Sequence, residues 1–399
     1  MSMQPVLRFK THEDGLKAWD KTHLSQIATV SMGQSPSSDA YNEDYEGLPL
    51  IQGNADIVDG FTKPSRYTTE VTKRCQESDV ILSVRAPVGE LGIASEESCI
   101  GRGVCAIRAN DKSNTAFIYQ LLQAKKKHWK KLEQGSTFTA VSGEDVKAFE
   151  VVVPTKEEQQ KIAAFFTALD EKIRLSEQKL NLISKIKKGI AQKLFAQDLR
   201  FKNKDGYFFD SWKSYTVGEL VDVIGGGTPS TQNPDYWDGD IYWLTPTEIN
   251  SKYVHSSNRK ITFDGVRNSS AKLLPKGALL LTTRATLGAC SINNQDNPVC
   301  TNQGFQSLVC KDGVDNEFMY YVVTDSAFQK TMIQRASGST FLEISSKNLK
   351  GIVIHLPSLE EQRQIATLLS SLDKKIDCLK QRVKALKTQK ASFMQQMFV

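Results

Sequence analysis

The sequence predicts an α+β protein in which two mixed, mostly-β domains form a pseudo-twofold repeat and are joined by two long helices that form an antiparallel coiled coil. Three observations lead to this fold class. Residues 154–195 align without a gap on residues 357–398, so a structural unit is duplicated. Both of these segments carry apolar residues at the four-three spacing of a coiled coil. The rest of each half alternates short β-like runs with turns.

The repeat predicts four segments. We place domain one at residues 1–153, the first long helix at 154–197, domain two at 198–356 and the second long helix at 357–399. A chain of 399 residues exceeds one ordinary core, which agrees with more than one domain. The repeat extends into the domains, because the Gly-Ser-Thr-Phe sequence at 135–138 recurs at 338–341.

Each domain is predicted to contain short strands and one helix of its own. Strands are predicted at 80–84, 149–153, 278–282 and 352–356, where apolar and β-branched residues cluster. The helices are predicted at 115–131 and 316–334.

Each long helix begins with a predicted capping box, formed by Thr155 with Glu158 and by Ser358 with Glu361. In such a box the glutamate reaches back to the N–H of the cap residue. The apolar residues predicted to lie at the interface of the helices are Ile162, Phe166, Leu169, Ile173, Ile365, Leu369, Leu372 and Ile376. The polar residues Ser176, Lys187 and Lys390 interrupt this seam. The alternative is that each helix packs its apolar face on a globular core.

Composition excludes several classes of protein. Seven cysteines without a Cys-x-x-Cys pair predict reduced thiols, and the five histidines show no metal-ligand spacing. There is no apolar run of membrane-spanning length and no leader pattern, so we expect a soluble, cytoplasmic protein. A net charge of +6 is compatible with a nucleic-acid partner.

No motif supports catalysis. The Asn-Pro-Asp-Tyr sequence at 233–236 differs by one residue from the adenine-binding loop of amino-methyltransferases, but no cofactor loop accompanies it. The glycine-rich stretch at 225–229 lacks the Gly-Lys-Ser/Thr of a phosphate-binding loop. We therefore expect a chain that is not an enzyme and that holds no cofactor or metal.

Several motifs together resemble the specificity subunits of type I restriction–modification enzymes. They are the paired Pro-x-x-Glu-Glu-Gln helix starts, the Gly-Ser-Thr-Phe sequences, and Gly-Gly-Thr-Pro-Ser at 226–230 followed by Tyr-Trp-Asp-Gly-Asp-Ile at 236–241. The resemblance covers nearly the whole chain. Domain one departs from it in two places. It has Met-Gly-Gln-Ser-Pro at 32–36 where domain two has the Gly-Gly-Thr-Pro pattern, and it has Gly-Arg-Gly-Val at 101–104 where domain two has Asn-Gln-Gly-Phe at 302–305.

The resemblance implies that each domain is a target recognition domain that reads one half of an asymmetric, bipartite site in double-stranded DNA. The long helices would set the distance between the half-sites and dock two methyltransferase subunits. Those subunits would bind S-adenosylmethionine and methylate adenine N6. Two restriction subunits would add ATP- and Mg-dependent translocation and cleavage, and no membrane would be involved.

The candidates for contact with DNA come from loops that follow early strands, from motifs aligned between the two halves and from the lysine-rich run. Readout needs polar side chains at base edges and basic side chains at phosphates. The candidates are Gln52, Asn54, Arg85, Arg102, Lys125, Lys126, Lys127, Lys130, Thr137, Thr245, Thr247, Glu248, Arg284, Gln303 and Thr340. Arg85 and Arg284 occupy a shared motif and are equally suited to structural salt bridges. The lysines at 125–131 are equally suited to a solvated helix end.

Two other classes of function compete with this interpretation. One is a coiled-coil protein scaffold or another non-catalytic DNA-binding protein, and the other is a stand-alone nuclease or methyltransferase. Divergent domains on more similar helices favour sequence recognition, and the missing motifs argue against an enzyme.

Overall fold

The structure is a computed structural model that describes residues 5–10, 17–129, 140–284, 286–338 and 342–398. The chain divides into two compact units, of which unit 1 comprises residues 1–179 with 379–399 and unit 2 comprises residues 180–378. The division falls inside both long helices. Each unit therefore contains one domain, the first part of one long helix and the last part of the other.

In unit 1, the described part of domain one contains three sheets. The strands are β1 Asp20–His23, β2 Ala28–Met32, β3 Tyr41–Asn42, β4 Leu48–Ile51, β5 Ile57–Val58, β6 Phe61–Thr62, β7 Tyr67–Thr68, β8 Arg74–Cys75, β9 Val80–Ser83, β10 Leu91–Ile93, β11 Ser98–Ile100, β12 Val104–Ala109 and β13 Glu150–Val153. The sheet orders are β1-β13, β2-β12-β9-β10-β6-β5 and β3-β7-β4-β11-β8. Its α-helices include Leu24–Ile27, Thr115–Ala124 and Gly143–Lys147, with 3-10 turns at Ser38–Ala40 and Asn54–Asp56.

In unit 2, domain two repeats this plan, with fewer strands among its described residues. The strands are β14 Lys213–Thr216, β15 Val221–Gly225, β16 Trp237–Leu244, β17 Arg259–Ile261, β18 Leu279–Leu281, β19 Cys290–Ile292, β20 Val299–Thr301, β21 Gln306–Cys310 and β22 Val353–Leu356. The sheet orders are β14-β22, β15-β21-β18-β19 and β17-β16-β20. The helices are Val217–Leu220, Phe263–Arg267, Asn316–Thr324, Ser326–Gln334 and Ser346–Lys350, with 3-10 turns at Pro234–Tyr236 and Pro246–Glu248.

The central strands of both domains are buried on both faces. Every residue of β9 and of β18 is buried, which explains why these strands are continuous apolar runs rather than alternating ones. The four predicted strands are present, and each begins or ends within one residue of its prediction.

The helix predicted at 316–334 is wrong as a single element. The structure has two helices there, Asn316–Thr324 and Ser326–Gln334, because Asp325 starts the second one. Its carboxylate accepts a hydrogen bond from the backbone N–H of Ala327 at 2.8 Å, and this side chain favours a helix start over a helix interior.

The first long helix spans Lys156–Phe195 and the second spans Leu359–Met397. The predicted capping boxes are wrong in one respect. The glutamates do not reach back to the cap residue: Glu158 binds the guanidinium of Arg8 at 2.6 and 3.0 Å, and both side chains are buried. A charged bidentate pair is stronger than a bond to a backbone N–H, which explains the choice.

The same arrangement recurs at the start of the second long helix. The fully buried Glu361 accepts hydrogen bonds from Arg200 at 2.9 and 3.2 Å and from the indole N–H of Trp212 at 3.1 Å. The second Glu of the Pro-x-x-Glu-Glu-Gln motif is therefore a structural anchor for the beginning of each domain.

The repeated Gln of the same motif holds the loop that precedes a helix of each domain. This domain helix is Thr115–Ala124 in domain one and Asn316–Thr324 in domain two. The buried amide oxygen of Gln159 accepts from the hydroxyl of Ser113 at 2.8 Å and from the N–H of Asn114 at 3.1 Å. The amide oxygen of Gln362 accepts from the N–H of Asp315 at 2.8 Å. Both amides also donate to the carbonyl of the motif's own proline at 3.0 Å, so the loop and the helix start form one hydrogen-bonded body.

The first residues of each domain form backbone hydrogen bonds with the ends of the long helices. The N–H of Leu7 donates to the carbonyl of Gln396 at 2.9 Å in unit 1. In unit 2, the N–H of Leu199 donates to the carbonyl of Lys193 at 3.1 Å. These are equivalent positions of the repeat.

The predicted interface residues of the long helices have two different environments. Ile162, Phe166, Ile365 and Leu369 are buried in clusters that also contain domain residues, such as Phe117 in unit 1 and Phe318 in unit 2. Ile173 and Ile376 are buried farther along the helices, and Leu169 and Leu372 are half-buried. The first turns of each helix therefore pack on a domain core, as the alternative to a coiled coil predicted.

Candidate nucleic-acid interface

Domain one has a cleft of about 290 Å³ at the ends of three of its strands. It is lined by Ser35, Gln52, Gly53, Asn54, Arg85, Ala86, Arg102 and Gly103. Gln52 and Asn54 follow β4, Arg85 follows β9 and Arg102 follows β11. The structure thus brings together all four candidates predicted in these loops of domain one.

The side chain of Asp56 holds the loop that carries Gln52 and Asn54. Its carboxylate accepts hydrogen bonds from the backbone N–H groups of Gln52 at 2.7 Å and of Gly53 at 3.2 Å. One oxygen of this carboxylate thus accepts both hydrogen bonds. The amide side chains of Gln52 and Asn54, half-buried and exposed respectively, line the cleft.

Arg85 is exposed and has no ion-pair partner in the part of the chain that the structure describes. Its backbone forms an isolated antiparallel bridge with Ala140. The equivalent residue of domain two, Arg284, binds the carboxylate of Glu343 with Nε 2.6 Å from Oε1. Glu343 is 203 residues after Ala140, so the repeat has alanine in one domain where it has the arginine's partner in the other. Among the described residues, Arg284 thus forms a salt bridge and Arg85 forms none.

The candidates of domain two lie on the equivalent loops. Thr245 and Thr247 follow β16, and their hydroxyl oxygens are 3.1 Å apart. Glu248 takes the role of Asp56, because its carboxylate accepts from the N–H and hydroxyl of Thr245, each at 2.7 Å, and from the N–H of Asn258 at 2.7 Å. Both oxygens of Glu248, a candidate for contact with DNA, therefore accept hydrogen bonds from within domain two.

Gln303 follows β20 and is exposed. Its amide oxygen accepts a hydrogen bond from the hydroxyl of Thr228 at 2.7 Å. The corresponding residue of domain one, Ser35, accepts a hydrogen bond from the N–H of Arg102 at 3.1 Å. Sequence reasoning missed both hydroxyl residues. The aligned Gln-Ser-Pro and Gly-Thr-Pro segments contained the signal, since each places a hydroxyl residue before a proline.

The lysine-rich run does not form one uniform surface. The ammonium of Lys126 lies 2.7 Å from the carboxylate of Glu90. Lys125 is half-buried, and desolvation lowers the pKa of its ammonium group. Lys127 is exposed, and the adjacent Trp129 is fully buried with its ring stacked on Phe149. In this run Lys127 thus has the exposure that phosphate contact requires. The candidates Lys130, Thr137 and Thr340 lie outside the described residues.

Among the described ranges, no group of three or more His, Cys, Asp or Glu residues has an arrangement that could hold a metal ion. Within the same ranges, no helix combines the length and the apolar character needed to cross a lipid bilayer.

Comparison with known proteins places these features in context. The model of the type I restriction modification DNA specificity domain matches residues 17–185 and 210–388. The MjaIX type I restriction enzyme specificity subunit of Methanocaldococcus jannaschii is 39% identical over 187 residues, which are 46% of this chain and 43% of that protein. This match thus spans less than half of that relative's length.

Other comparisons cover nearly the whole chain. The MjaVIII specificity subunit of the same organism is 20% identical over 394 residues, which are 94% of this chain and 91% of that protein. The crystal structure of an S subunit of a type I restriction–modification system from M. genitalium superposes with a TM-score of 0.67 at 17% identity, covering 100% of this chain and 99% of that one. At this identity the superposition shows a shared fold.

Proposed function

Because this chain belongs to the type I restriction modification DNA specificity domain family, as its motifs predicted, we propose that it is the subunit that recognises the DNA sequence of such a system. Each domain would read one half of a bipartite, asymmetric site in double-stranded DNA. The chain itself would be non-catalytic and would bind no cofactor.

The observation that carries this proposal is that the two domains share a scaffold but have different side chains on the equivalent loops. In domain one, three loops follow the central strand β9 and the parallel strands β4 and β11, and in domain two equivalent loops follow β18, β16 and β20. An acidic residue, Asp56 or Glu248, accepts hydrogen bonds from the backbone of the loop after β4 or β16. On this scaffold, Gln52, Asn54 and Arg102 of domain one stand where domain two has Thr245, Thr247 and Gln303. Two different sets of polar groups on one frame suit the reading of two different base sequences.

We also propose that the long helices form the antiparallel coiled coil predicted from the sequence. In unit 1, Asp170 of the first helix pairs with Lys390 of the second, and Glu177 pairs with Lys387. In unit 2, Lys187 pairs with Asp373. The residue number falls along one helix as it rises along the other, as in an antiparallel pair, and equivalent residues of the repeat exchange the same contact.

Such a frame would fix the gap between the half-sites, since half-site spacing follows the spacing of the reading domains. It would also offer repeated docking surfaces for two adenine-N6 methyltransferase subunits and two restriction subunits. Those partners would supply S-adenosylmethionine, ATP and Mg²⁺. This part of the proposal is supported by membership of the family.

A selection experiment tests the proposal. The full chain, assembled with its methyltransferase subunits, is incubated with random duplex DNA, and the bound molecules are sequenced. We expect two fixed sequence blocks separated by a gap of constant length and random sequence. Replacement of residues 20–153 by those of a relative should change one block only. A complex that selects no sequence, or a chimera that changes both blocks, would contradict the proposal.

The non-catalytic role is tested separately. Methyl transfer from labelled S-adenosylmethionine to DNA should require the added methyltransferase subunits. Methyl transfer by the purified chain alone would show that it is an enzyme.

A further inference from the structure

We propose that Arg102 and Gln303 are equivalent base-reading residues, with Arg102 selecting guanine in one half-site and Gln303 selecting adenine in the other. The inference rests on the proposed function of the two domains. It goes beyond that function because it assigns one base in each half-site to one side chain.

The two residues occupy the same position of the fold. Arg102 lies two residues after β11, which pairs in parallel with β4, and Gln303 lies two residues after β20, which pairs in parallel with β16. The backbone contacts beside them are also equivalent. Gln34 donates its N–H to the carbonyl of Ile100 at 2.9 Å, and Gly227 donates to the carbonyl of Thr301 at 2.8 Å.

The backbone at both positions is closely packed against the neighbouring loop. A Cβ added to Gly33 would lie 2.2 Å from the carbonyl oxygen of Gly101, and one added to Gly226 would lie 1.9 Å from that of Asn302. On the other side, a Cβ at Gly103 would lie 2.1 Å from the carbonyl oxygen of Gln52. Only glycine permits these approaches, so the turn is fixed and the side chain between is the variable part.

The guanidinium of Arg102 is available to a ligand. The side chain is exposed and has no hydrogen bond or ion pair in the described part of the chain. None of the described residues that line its cleft carries a carboxylate. The nearby Asp56 does not line the cleft, and one of its carboxylate oxygens accepts from the backbone of its own loop. A planar fork of donors without a neighbouring anion matches the O6 and N7 acceptors of guanine in the major groove.

The amide of Gln303 offers a different pattern. The hydroxyl of Thr228 donates to its oxygen at 2.7 Å, which orients the amide and leaves the second lone pair and both N–H groups available. An amide that accepts with its oxygen and donates with its nitrogen matches N6 and N7 of adenine. Arg102 cannot provide this pattern, because a guanidinium has no acceptor.

An exchange of the two side chains tests the inference. Arg102→Gln and Gln303→Arg are each assembled with the methyltransferase subunits and subjected to selection from random duplex DNA at one salt concentration. We expect Arg102→Gln to change one guanine of one half-site to adenine, and Gln303→Arg to change one adenine of the other half-site to guanine. Discrimination against the former base should be roughly 5- to 150-fold, the range of one bidentate contact.

The matched control is Arg74→Gln, which removes the same charge from an exposed arginine of domain one that lies outside the cleft. It should leave both half-sites unchanged. A wild-type complex that selects a bipartite site, together with exchange variants that select the same site, would overturn the inference and leave the proposed function intact. A wild-type complex without sequence preference would overturn both.

Discussion

The ammonium group of Lys390 lies 2.5 Å from the carboxylate of Asp170. The pair is repeated in unit 2, where Lys187 binds Asp373. Each aspartate also accepts a hydrogen bond from a domain helix, Asp170 from the amide of Gln120 at 2.8 Å and Asp373 from the hydroxyl of Tyr321 at 2.5 Å. Each of these two lysines, which interrupt the apolar seam in the sequence, therefore pairs with an aspartate that also accepts a hydrogen bond from a domain residue.

The first prediction concerns this pair. A double-mutant cycle with Lys390→Ala and Asp170→Ala should give a coupling energy of about 1 kcal/mol in the free energy of unfolding, because both groups are largely shielded from water. The control cycle is Lys387 with Glu177, whose side chains are more exposed, and its coupling should be about 0.3 kcal/mol. Urea unfolding followed by circular dichroism measures both. Equal couplings would show that shielding does not strengthen the Lys390 pair.

The second prediction concerns the buried anchor at the start of the second long helix. Glu361→Ala should lower the free energy of unfolding by about 3 kcal/mol, since it leaves the guanidinium of Arg200 largely buried without its anion. Glu360→Ala is the control, because Glu360 is exposed in the same helical turn and its loss should cost less than about 1 kcal/mol. The same unfolding assay applies. A cost below 1 kcal/mol for Glu361→Ala would mean that the pair does not anchor the helix.

The third prediction follows from the difference between Arg85 and Arg284. Arg85→Ala should reduce the slope of log affinity against log salt by about 0.9, the value for one phosphate contact, while Arg284→Ala should reduce it less because Glu343 already neutralises that side chain. Fluorescence anisotropy with labelled duplex DNA over a salt series measures the slopes. Equal reductions in the two variants would contradict the prediction.

The fourth prediction concerns the thiols. Burial raises the pKa of Cys75 to about 11 and of Cys105 to about 12, so at pH 8 these thiols stay protonated, whereas the reactive species is the thiolate. Cys378 is exposed. Mass spectrometry after brief treatment with a thiol reagent should find label on Cys378, and label on the other two should appear only after unfolding. Rapid labelling of Cys105 in the folded chain would be inconsistent with its burial.

The fifth prediction tests the helices as a spacer. Seven residues inserted after Lys179 and seven after Cys378 lengthen each helix by about 10 Å and keep the apolar faces within about 20° of their former direction. The gap between the half-sites should grow by about three base pairs, at 3.4 Å each. Two-residue insertions at the same sites rotate the faces by roughly 200° and should impair assembly. Selection from random DNA reads the gap, and an unchanged gap in the seven-residue variant would refute the spacer role.

The sequence predicted two domains of mixed sheets and helices, and it predicted the family, because these depend on periodic patterns and on the repeat. It also predicted the polar groups of the cleft, with Gln52 and Asn54 as loop residues and with Arg85 and Arg102 as members of segments aligned between the two halves. It could not predict which side chains pair when the two residues are far apart in the sequence. Glu158 and Glu361 fit a capping box by spacing, but their actual partners, Arg8 and Arg200, are 150 and 161 residues away. Such long-range pairing leaves no local signal.

The same limit applies to the charges of the candidate interface. Arg85 and Arg284 occupy one motif and are indistinguishable in the local sequence. Their difference depends on positions 140 and 343, which are distant in sequence and meet the arginines only in the folded domain.

The hydrogen bond between Leu7 and Gln396 has a consequence for the continuity of the backbone. Its repeat equivalent joins Leu199 to Lys193, which are linked by a short stretch of covalent chain, whereas residues 7 and 396 are brought together only by folding. A geometry that forms without a peptide link in unit 1 does not need one in unit 2. A chain severed between the exposed residues Gln197 and Asp198 is therefore expected to reassemble from its two fragments, with each domain held by the noncovalent contacts of the helix starts and ends.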